Sequence, residues 1–313
     1  MKVAIEFGEQ THSVFEANLE GAKQVAARYG LCEPTYGGPI SPGDGMTSSQ
    51  IAQQAADIKA DVAMGDKVIA TSANVPASAL EAAMKAGVKV ITFDSDTPGA
   101  RDLFIQGTSY QAVARALIDA VTSAVGPHAQ LGIVDTSPDA VFSLAVAGAM
   151  QSYAKASYPG ITWTGIGYGP SWPALGVSEG LIHSYPHMKA LLALAPGDAT
   201  GAAQAVSDLH EVGKIAVFGI GDPEPNARYF TNGSLRALFG WNYTDEGKFL
   251  MCVAKLAYGN AIRAGSSFRC PNGPQGSWIV ATKPNATSGA TRDAIVFSSP
   301  LEFTPQNRTQ YDF

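Results

Sequence analysis

Apolar positions along this chain follow two rhythms that take turns almost from end to end. Short β-branched runs, Val3 to Phe7, Val68 to Ser72 and Val88 to Phe93, have the length and make-up of strands. Between them the apolar residues fall at helical spacing. Phe15, Leu19, Ala22, Ala26 and Tyr29 share one face, Ser13 and Glu16 form a capping box at its start, and Gly30 stands where a left-handed C-terminal residue belongs. Ile51, Ala55 and Ile58 predict a second helix, and Pro76 to Ala86 a third.

After Asp102 to Gly107 a second capping box, Thr108-Ser109-Tyr110-Gln111, opens a helix to about Val125. A similar series then begins. Strands are predicted at Leu131 to Asp135, Ile161 to Tyr168, Lys189 to Ala195 and Ile215 to Ile220. Helices alternate with them at Ala140 to Ala156, up to His183, and at Gly201 to Val212. The chain returns through Leu235 to Trp241, a helix from Glu246 to Arg263, and late strands near Trp278 to Thr282 and Ala294 to Phe297. Repeated β-α units give an α/β fold: two Rossmann-like lobes, each a parallel sheet with helices on both faces. No Gly/Ser/Pro-rich linker divides the halves, so several chain crossings that can act as a hinge are expected.

Composition narrows the possibilities. The 313 residues suggest about two domains. With 46% hydrophobic and 15% charged residues the chain can build sizeable cores and is too poor in charge for disorder. A net charge of -6 and the lack of a Lys/Arg stripe argue against nucleic acid. Apolar stretches such as Leu191 to Ala195 are strand-sized, far short of a membrane span. No charged and apolar leader precedes the first strand, so any export signal is expected either to have been removed or never to have existed. Cys32, Cys252 and Cys270 fit no zinc spacing. A Cys252–Cys270 disulfide is open in an oxidising compartment, with buried thiols the favoured state.

Three motifs are set aside. Gly176-Val177-Ser178-Glu179-Gly180 matches the nucleophile-elbow pattern, but helical periodicity runs through it, where an elbow needs a strand leading into the turn. Gly219-Ile220-Gly221 lacks the third glycine of a dinucleotide site. His183 and His187 have the spacing of a helical metal pair, but Pro186 breaks that geometry. No metal, no cofactor and no catalytic group is expected.

The strand ends carry the chemistry. In an open parallel sheet, ligands bind outside the carboxyl ends of the strands. Glu9, Gln10 and His12 follow the first strand, Asp94 and Asp96 the fourth, Trp172 a strand of the second half, and Trp241-Asn242 the returning strand. Phe15 and Phe142 add aromatic surface at helix starts. Carboxylates and amides suit hydroxyl groups, because each buried polar group left unpaired costs about 1–3 kcal/mol. Flat aromatic rings suit the C–H faces of a sugar. A capping role for the strand-end acids and a core role for Phe142 and Trp172 are the plain alternatives.

These residues bear a family likeness. Ala86 to Thr97 with its Asp-Ser-Asp end, Tyr158-Pro159-Gly160 onward to Tyr168, Ala202 to Ala205, Gly240-Trp241, and the ending Phe303-Thr304-Pro305 to Tyr311-Asp312-Phe313 fall in register over nearly the full chain. The pattern resembles type I periplasmic substrate-binding proteins of ABC sugar importers, in the branch of the autoinducer-2 and rhamnose binding proteins. The resemblance implies two lobes joined by three crossings, with a ligand held in the cleft by hinge closure. The N-terminal lobe is expected at 1–106 with about 241–279, the C-terminal lobe at 107–240 with about 280–313. Crossings are expected near 105–107, 239–242 and 280–300. Asp96 is the hydroxyl acceptor that the resemblance implies, with Asp94 beside it, and Trp241-Asn242 matches the branch's Trp-Asp pair with an amide for the acid. The branch's lysine after strand one is Gly8 here, and its Asp-Gln pair is Phe142-Ser143. Those departures point away from autoinducer-2 and towards a neutral ligand with an apolar face.

The expected function is therefore a non-enzymatic solute-binding component of an ABC transporter, taking a small neutral sugar or sugar alcohol. The expected partners are a membrane permease and, in some relatives, a chemoreceptor; a monomer, periplasmic or lipid-anchored outside the cell, is expected. The alternatives are an autoinducer-2-type binding protein and the sensor core of a sugar-responsive regulator, the latter requiring a DNA-binding helix pair upstream.

Overall fold

The computed structural model describes the chain apart from residues 9–12, 40–47, 73–74, 136–140, 169–173, 286–288 and 312 and the side chain of residue 141. The elements run β1 (Val3–Glu6), α1 (Ser13–Ala26), β2 (Thr35–Gly37), α2 (Ser48–Met64), β3 (Val68–Thr71), α3 (Ala77–Lys85), β4 (Lys89–Phe93) and β5 (Leu103–Thr108). Next come α4 (Tyr110–Val125), β6 (Gln130–Asp135), α5 (Val141–Ser157), β7 (Thr162–Tyr168), α6 (Leu175–Ser184), β8 (Met188–Ala193), α7 (Pro196–Asp208), β9 (Ala216–Ile220), α8 (Ala227–Asn232) and β10 (Leu235–Gly240). The chain closes with α9 (Tyr243–Tyr258), β11 (Ser267–Phe268), β12 (Trp278–Ile279), β13 (Ala294–Ser298) and β14 (Leu301–Phe303).

Two compact units result. The first holds the described residues up to Ser109 together with Trp241–Ser298. Its sheet, in the order β13-β5-β4-β3-β1-β2, is parallel throughout among the described residues. Strands β1 and β3 are buried along their whole length, as expected where helices cover both faces. β13 joins this sheet as the parallel neighbour of β5, so this unit runs on to Ser298. Helix α9 also begins at Tyr243, not Glu246: the Asn242 side chain accepts from the Asp245 N–H at 2.9 Å and caps it there.

The second unit comprises Tyr110–Gly240 and Ser299–Phe313. Its sheet, β14-β10-β9-β8-β6-β7, is parallel except for β14, which runs antiparallel to β10. The core gathers Leu117, Ile118 and Val121 of α4, Val146 and Met150 of α5, and Leu131, Ile133, Leu192 and Phe218 of the sheet. Helix α7 starts at Pro196, a residue suited to a first helical turn, rather than at Gly201.

In the first unit α1 and α9 meet through glycines. A methyl group on Gly21 would overlap the carbonyl of Thr244, and one on Gly247 the carbonyl of Asn18. Because the obstacle is backbone, no rotamer change relieves it. Gly247→Ala is therefore expected to lower unfolding stability by about 2 kcal/mol or more; an unchanged urea midpoint would contradict the contact.

Cys252 and Cys270 are joined as a disulfide, which corrects the expectation of buried thiols. The physical reason is proximity: α9 and the segment after β11 bring the two Cα atoms to 5.7 Å, within bonding range. The link fastens that segment beside Phe249, Phe268 and Trp278, whose rings pack within 4.5–6.0 Å of one another. Cys32 is an exposed free thiol.

Candidate functional site

Because the first unit's sheet is parallel, the carboxyl ends of β1, β3, β4 and β5 line one edge. Gln54 and Ser72 tie β1 to β3 there: the Gln54 amide donates to the Glu6 and Ser72 carbonyls at 3.3 Å each, and the Gly8 N–H donates to the Ser72 hydroxyl at 2.6 Å. Phe7, Phe15 and Phe93 form an aromatic group beside them. Phe7 stacks on Phe15 at 5.0 Å, and Phe93 meets both edge-on at 6.0 and 6.4 Å. Phe15 is half-buried, so part of its surface faces outward.

Asp94 follows β4 directly. It is exposed and has φ of 59°, a left-handed conformation uncommon for a residue with a side chain. The Ser95 N–H donates to the Phe93 carbonyl at 2.6 Å, so the chain makes a tight three-residue turn with Asp94 at its apex. Backbone strain of this kind persists where surrounding structure enforces it, and it concentrates at ligand sites.

Asp96 is placed otherwise. Its Oδ1 accepts from Thr92 Oγ1 at 2.8 Å and Arg101 Nε at 2.8 Å; its Oδ2 accepts from Arg101 at 2.9 Å and Thr291 Oγ1 at 3.1 Å. Arg101 also donates to the Thr291 hydroxyl and the Arg292 carbonyl. Four donors from this unit thus already occupy the oxygens of Asp96, the residue expected to accept ligand hydroxyls. The pair clasps the chain after β4 to the segment before β13.

Trp241 lies at the start of the returning segment and is only 4% exposed. Its indole lies against the backbone of Gly107, where any side-chain carbon would overlap the ring. Its N–H donates to Glu246 Oε2 at 2.9 Å, and Tyr243 packs on it at 5.1 Å. Asn242 is half-buried, with its carbonyl oxygen spent on the α9 cap. Glu246 is buried, and desolvation first of all pushes it up to about 8, with the nearby charge of Asp94 adding to the rise. Sequence reasoning passed over Gly107, Asn18 and Glu246; the Gly at the end of a buried strand was the available signal.

In the second unit Phe142 near the start of α5 is half-buried against the core, edge-on to Tyr110 at 5.3 Å. Ser143 is buried, whereas Leu144 and Tyr168 are both 48% exposed. Asp135 and Asp222, at the carboxyl ends of β6 and β9, are buried. Glu9, Gln10, His12 and Trp172 lie outside the described residues. Ser178 sits inside α6 and donates back to the Ala174 carbonyl at 2.7 Å, the geometry of a helix and not of a nucleophile elbow. Among the described residues no group of three His, Cys, Asp or Glu is arranged to hold a metal ion, and no helix is long and apolar enough to cross a membrane.

A family model described as the periplasmic binding protein domain matches residues 3–260. The chain belongs to the periplasmic binding protein family. Solved structures share the fold of this binding protein over its whole length. A sugar ABC transporter protein from Actinomyces odontolyticus is 24% identical, with TM-score 0.80, covering 100% of this chain and 98% of that one. An ABC transporter solute-binding protein from Clostridium phytofermentas with bound L-rhamnose is 22% identical, with TM-score 0.82 and coverage of 99% and 97%. LsrB from Clostridium saccharobutylicum, in complex with AI-2, is 19% identical, with TM-score 0.84 and full coverage of both chains.

Proposed function

We propose that this protein binds a small neutral sugar or sugar alcohol and delivers it unchanged to an ABC permease outside the cytoplasm, with Asp94 as a hydroxyl acceptor. The observation that carries the reading is Asp94 itself, an exposed carboxylate held in a strained turn at the carboxyl end of a central strand. Phe15 and the amide of Asn242 supply aromatic and polar surface nearby in sequence and fold, and Trp241 remains assigned on its strand-end position. Glu9, Gln10, His12, Phe142 and Trp172 remain assigned to the ligand on their sequence positions. The relatives support a sugar-sized ligand: among them are proteins with bound L-rhamnose, D-arabinose and D-fucose. Gly8, Phe142 and Ser143 supply no charge, which favours a neutral sugar over a signal such as AI-2. The protein acts as a monomer, and ligand shifts its population by binding one conformation better than another.

A thermal-shift screen over pentoses, hexoses, deoxyhexoses, polyols and AI-2 tests the reading, since a ligand at 100 times its Kd adds about 2.7 kcal/mol to stability. With the sugar so found, Asp94→Asn, which keeps a side chain suited to the left-handed turn, is expected to weaken binding about 10- to 100-fold, the range for losing a hydrogen bond to a charged group, at an unchanged urea midpoint. Equal affinity in the variant removes Asp94 from the site; a shift with AI-2 alone replaces the sugar assignment.

A further inference from the structure

Asn18 of α1 and Glu246 of α9 are both buried, each about 1% exposed, at the place where the two helices meet through glycines. The Asn18 amide nitrogen donates to Glu246 Oε2 at 3.0 Å, and the Trp241 indole donates to the same oxygen at 2.9 Å. The second oxygens tell a different story. Glu246 Oε1 and Asn18 Oδ1 are both buried with no hydrogen-bond partner. Two acceptors left bare on two side chains already joined by one bond is a costly arrangement, about 1–3 kcal/mol for each. An ionised carboxylate would need donors on both oxygens. Here one oxygen takes two donors and the other none, the pattern of a carboxylic acid whose carbonyl is Oε2 and whose proton is on Oε1.

We propose that Glu246 is a positioning residue: as a neutral acid it donates from Oε1 to Asn18 Oδ1, closing a two-bond acid–amide pair that holds the Trp241 indole against Gly107. One proton thus satisfies both bare oxygens and locks α1, α9 and the ring together. The surroundings agree. Asn18 on α1 is neutral, β3 brings no charge, and the charge acting on Glu246 is Asp94 after β4, which disfavours ionisation. Asp245 and Lys248 of α9 pair with each other at 2.9 Å. Desolvation holds the acid up at about 8, so neutral solutions leave it protonated. The pairing stands apart from the proposed function and rests on it only in giving Trp241 a ligand to serve.

The test needs no sugar. In the intact protein, the Trp241 indole N–H resonance, assigned with Trp241→Phe, is followed by NMR from pH 5.5 to 9.5. Wild type is expected to hold one position at the acid end and to move with a midpoint near 8. Glu246→Gln supplies a carbonyl acceptor and an N–H donor in the same places, so its resonance is expected at the low-pH position throughout. Glu246→Leu is expected to speed indole hydrogen exchange at least tenfold. A midpoint in the ordinary carboxylate range, or a titration that survives in Glu246→Gln, overturns the proposal, and the Gln comparison decides even if the Leu variant fails to fold. Loss of sugar binding with the titration intact would instead count against the proposed function alone.

Discussion

Replacing Asp96 with alanine is expected to cost the first unit about 3–5 kcal/mol, because it strands a buried guanidinium without its counter-ion. Arg101 has a side chain only 4% exposed, and Asp96 meets it with two bonds at 2.8 and 2.9 Å. Thr92 and Thr291 lose their acceptor as well. Asp94→Asn, two residues away, keeps a side chain suited to its left-handed turn and is expected to leave the midpoint in place. Urea denaturation of the two variants side by side decides between them. If Asp96→Ala unfolds at the wild-type midpoint and loses only affinity, the clasp described here is wrong and Asp96 returns to the ligand.

Stability is expected to fall as the pH rises from about 5 to 9, the reverse of the usual trend for carboxylates that sit beside cations. Glu6 and Asp61 are buried together between β1 and α2, with Asp66 close by. Burial foremost, then the charge and hydrogen bond of Asp61 and the charges of Asp57 and Asp66, push Glu6 up to about 9. Burial likewise raises Asp61 to about 6 and, partly offset by Lys2, raises Asp66. The folded state therefore holds protons that the unfolded chain has released. Their contribution to stability is fully present below the ordinary carboxylate range and is lost progressively up to the folded-state value near 9, at a slope of up to about 1.4 kcal/mol per pH unit for each such proton. Glu246 contributes in the same direction up to about 8. Unfolding free energies at pH 5, 7 and 9 check this, with Glu6→Gln expected to flatten the curve. A wild-type profile that is level or rising across that interval would refute the protonated state of these buried acids.

The strands of the two sheets were legible because continuous burial writes itself as β-branched runs: Val3 to Phe7, Val68 to Ser72 and Leu131 to Asp135 appear nearly where expected. Short edge strands were not. β2 spans three residues, two of them exposed, and carries no such run, and β14 is equally brief. Gly30 takes the left-handed conformation that its position implied. At the site, Asp94 and Asp96 are alike in sequence, and what separates them is Thr291, brought in from 195 positions away by the pairing of β13 with β5. Trp241 was visible as an aromatic at a strand end. What fixes it, Gly107 and Glu246, depends on how helices and strands pack, which local periodicity does not record.

The α1–α9 glycine contact also sets an order of assembly. Asn18 and Glu246 are 228 residues apart, and almost all of the second unit is synthesised between them. The strands from β6 to β10 come from one uninterrupted stretch and can pair as soon as it is available. Two contacts of the first unit must wait: α1 finds its partner helix only when residue 258 has been made, and β5 its edge neighbour only at residue 298. Contacts of such long range slow folding, because loop closure has to precede the interactions that reward it. Strands β1 to β5 can pair early as well, but the helix contact and the β13 edge form last, so the first unit is completed only late in synthesis.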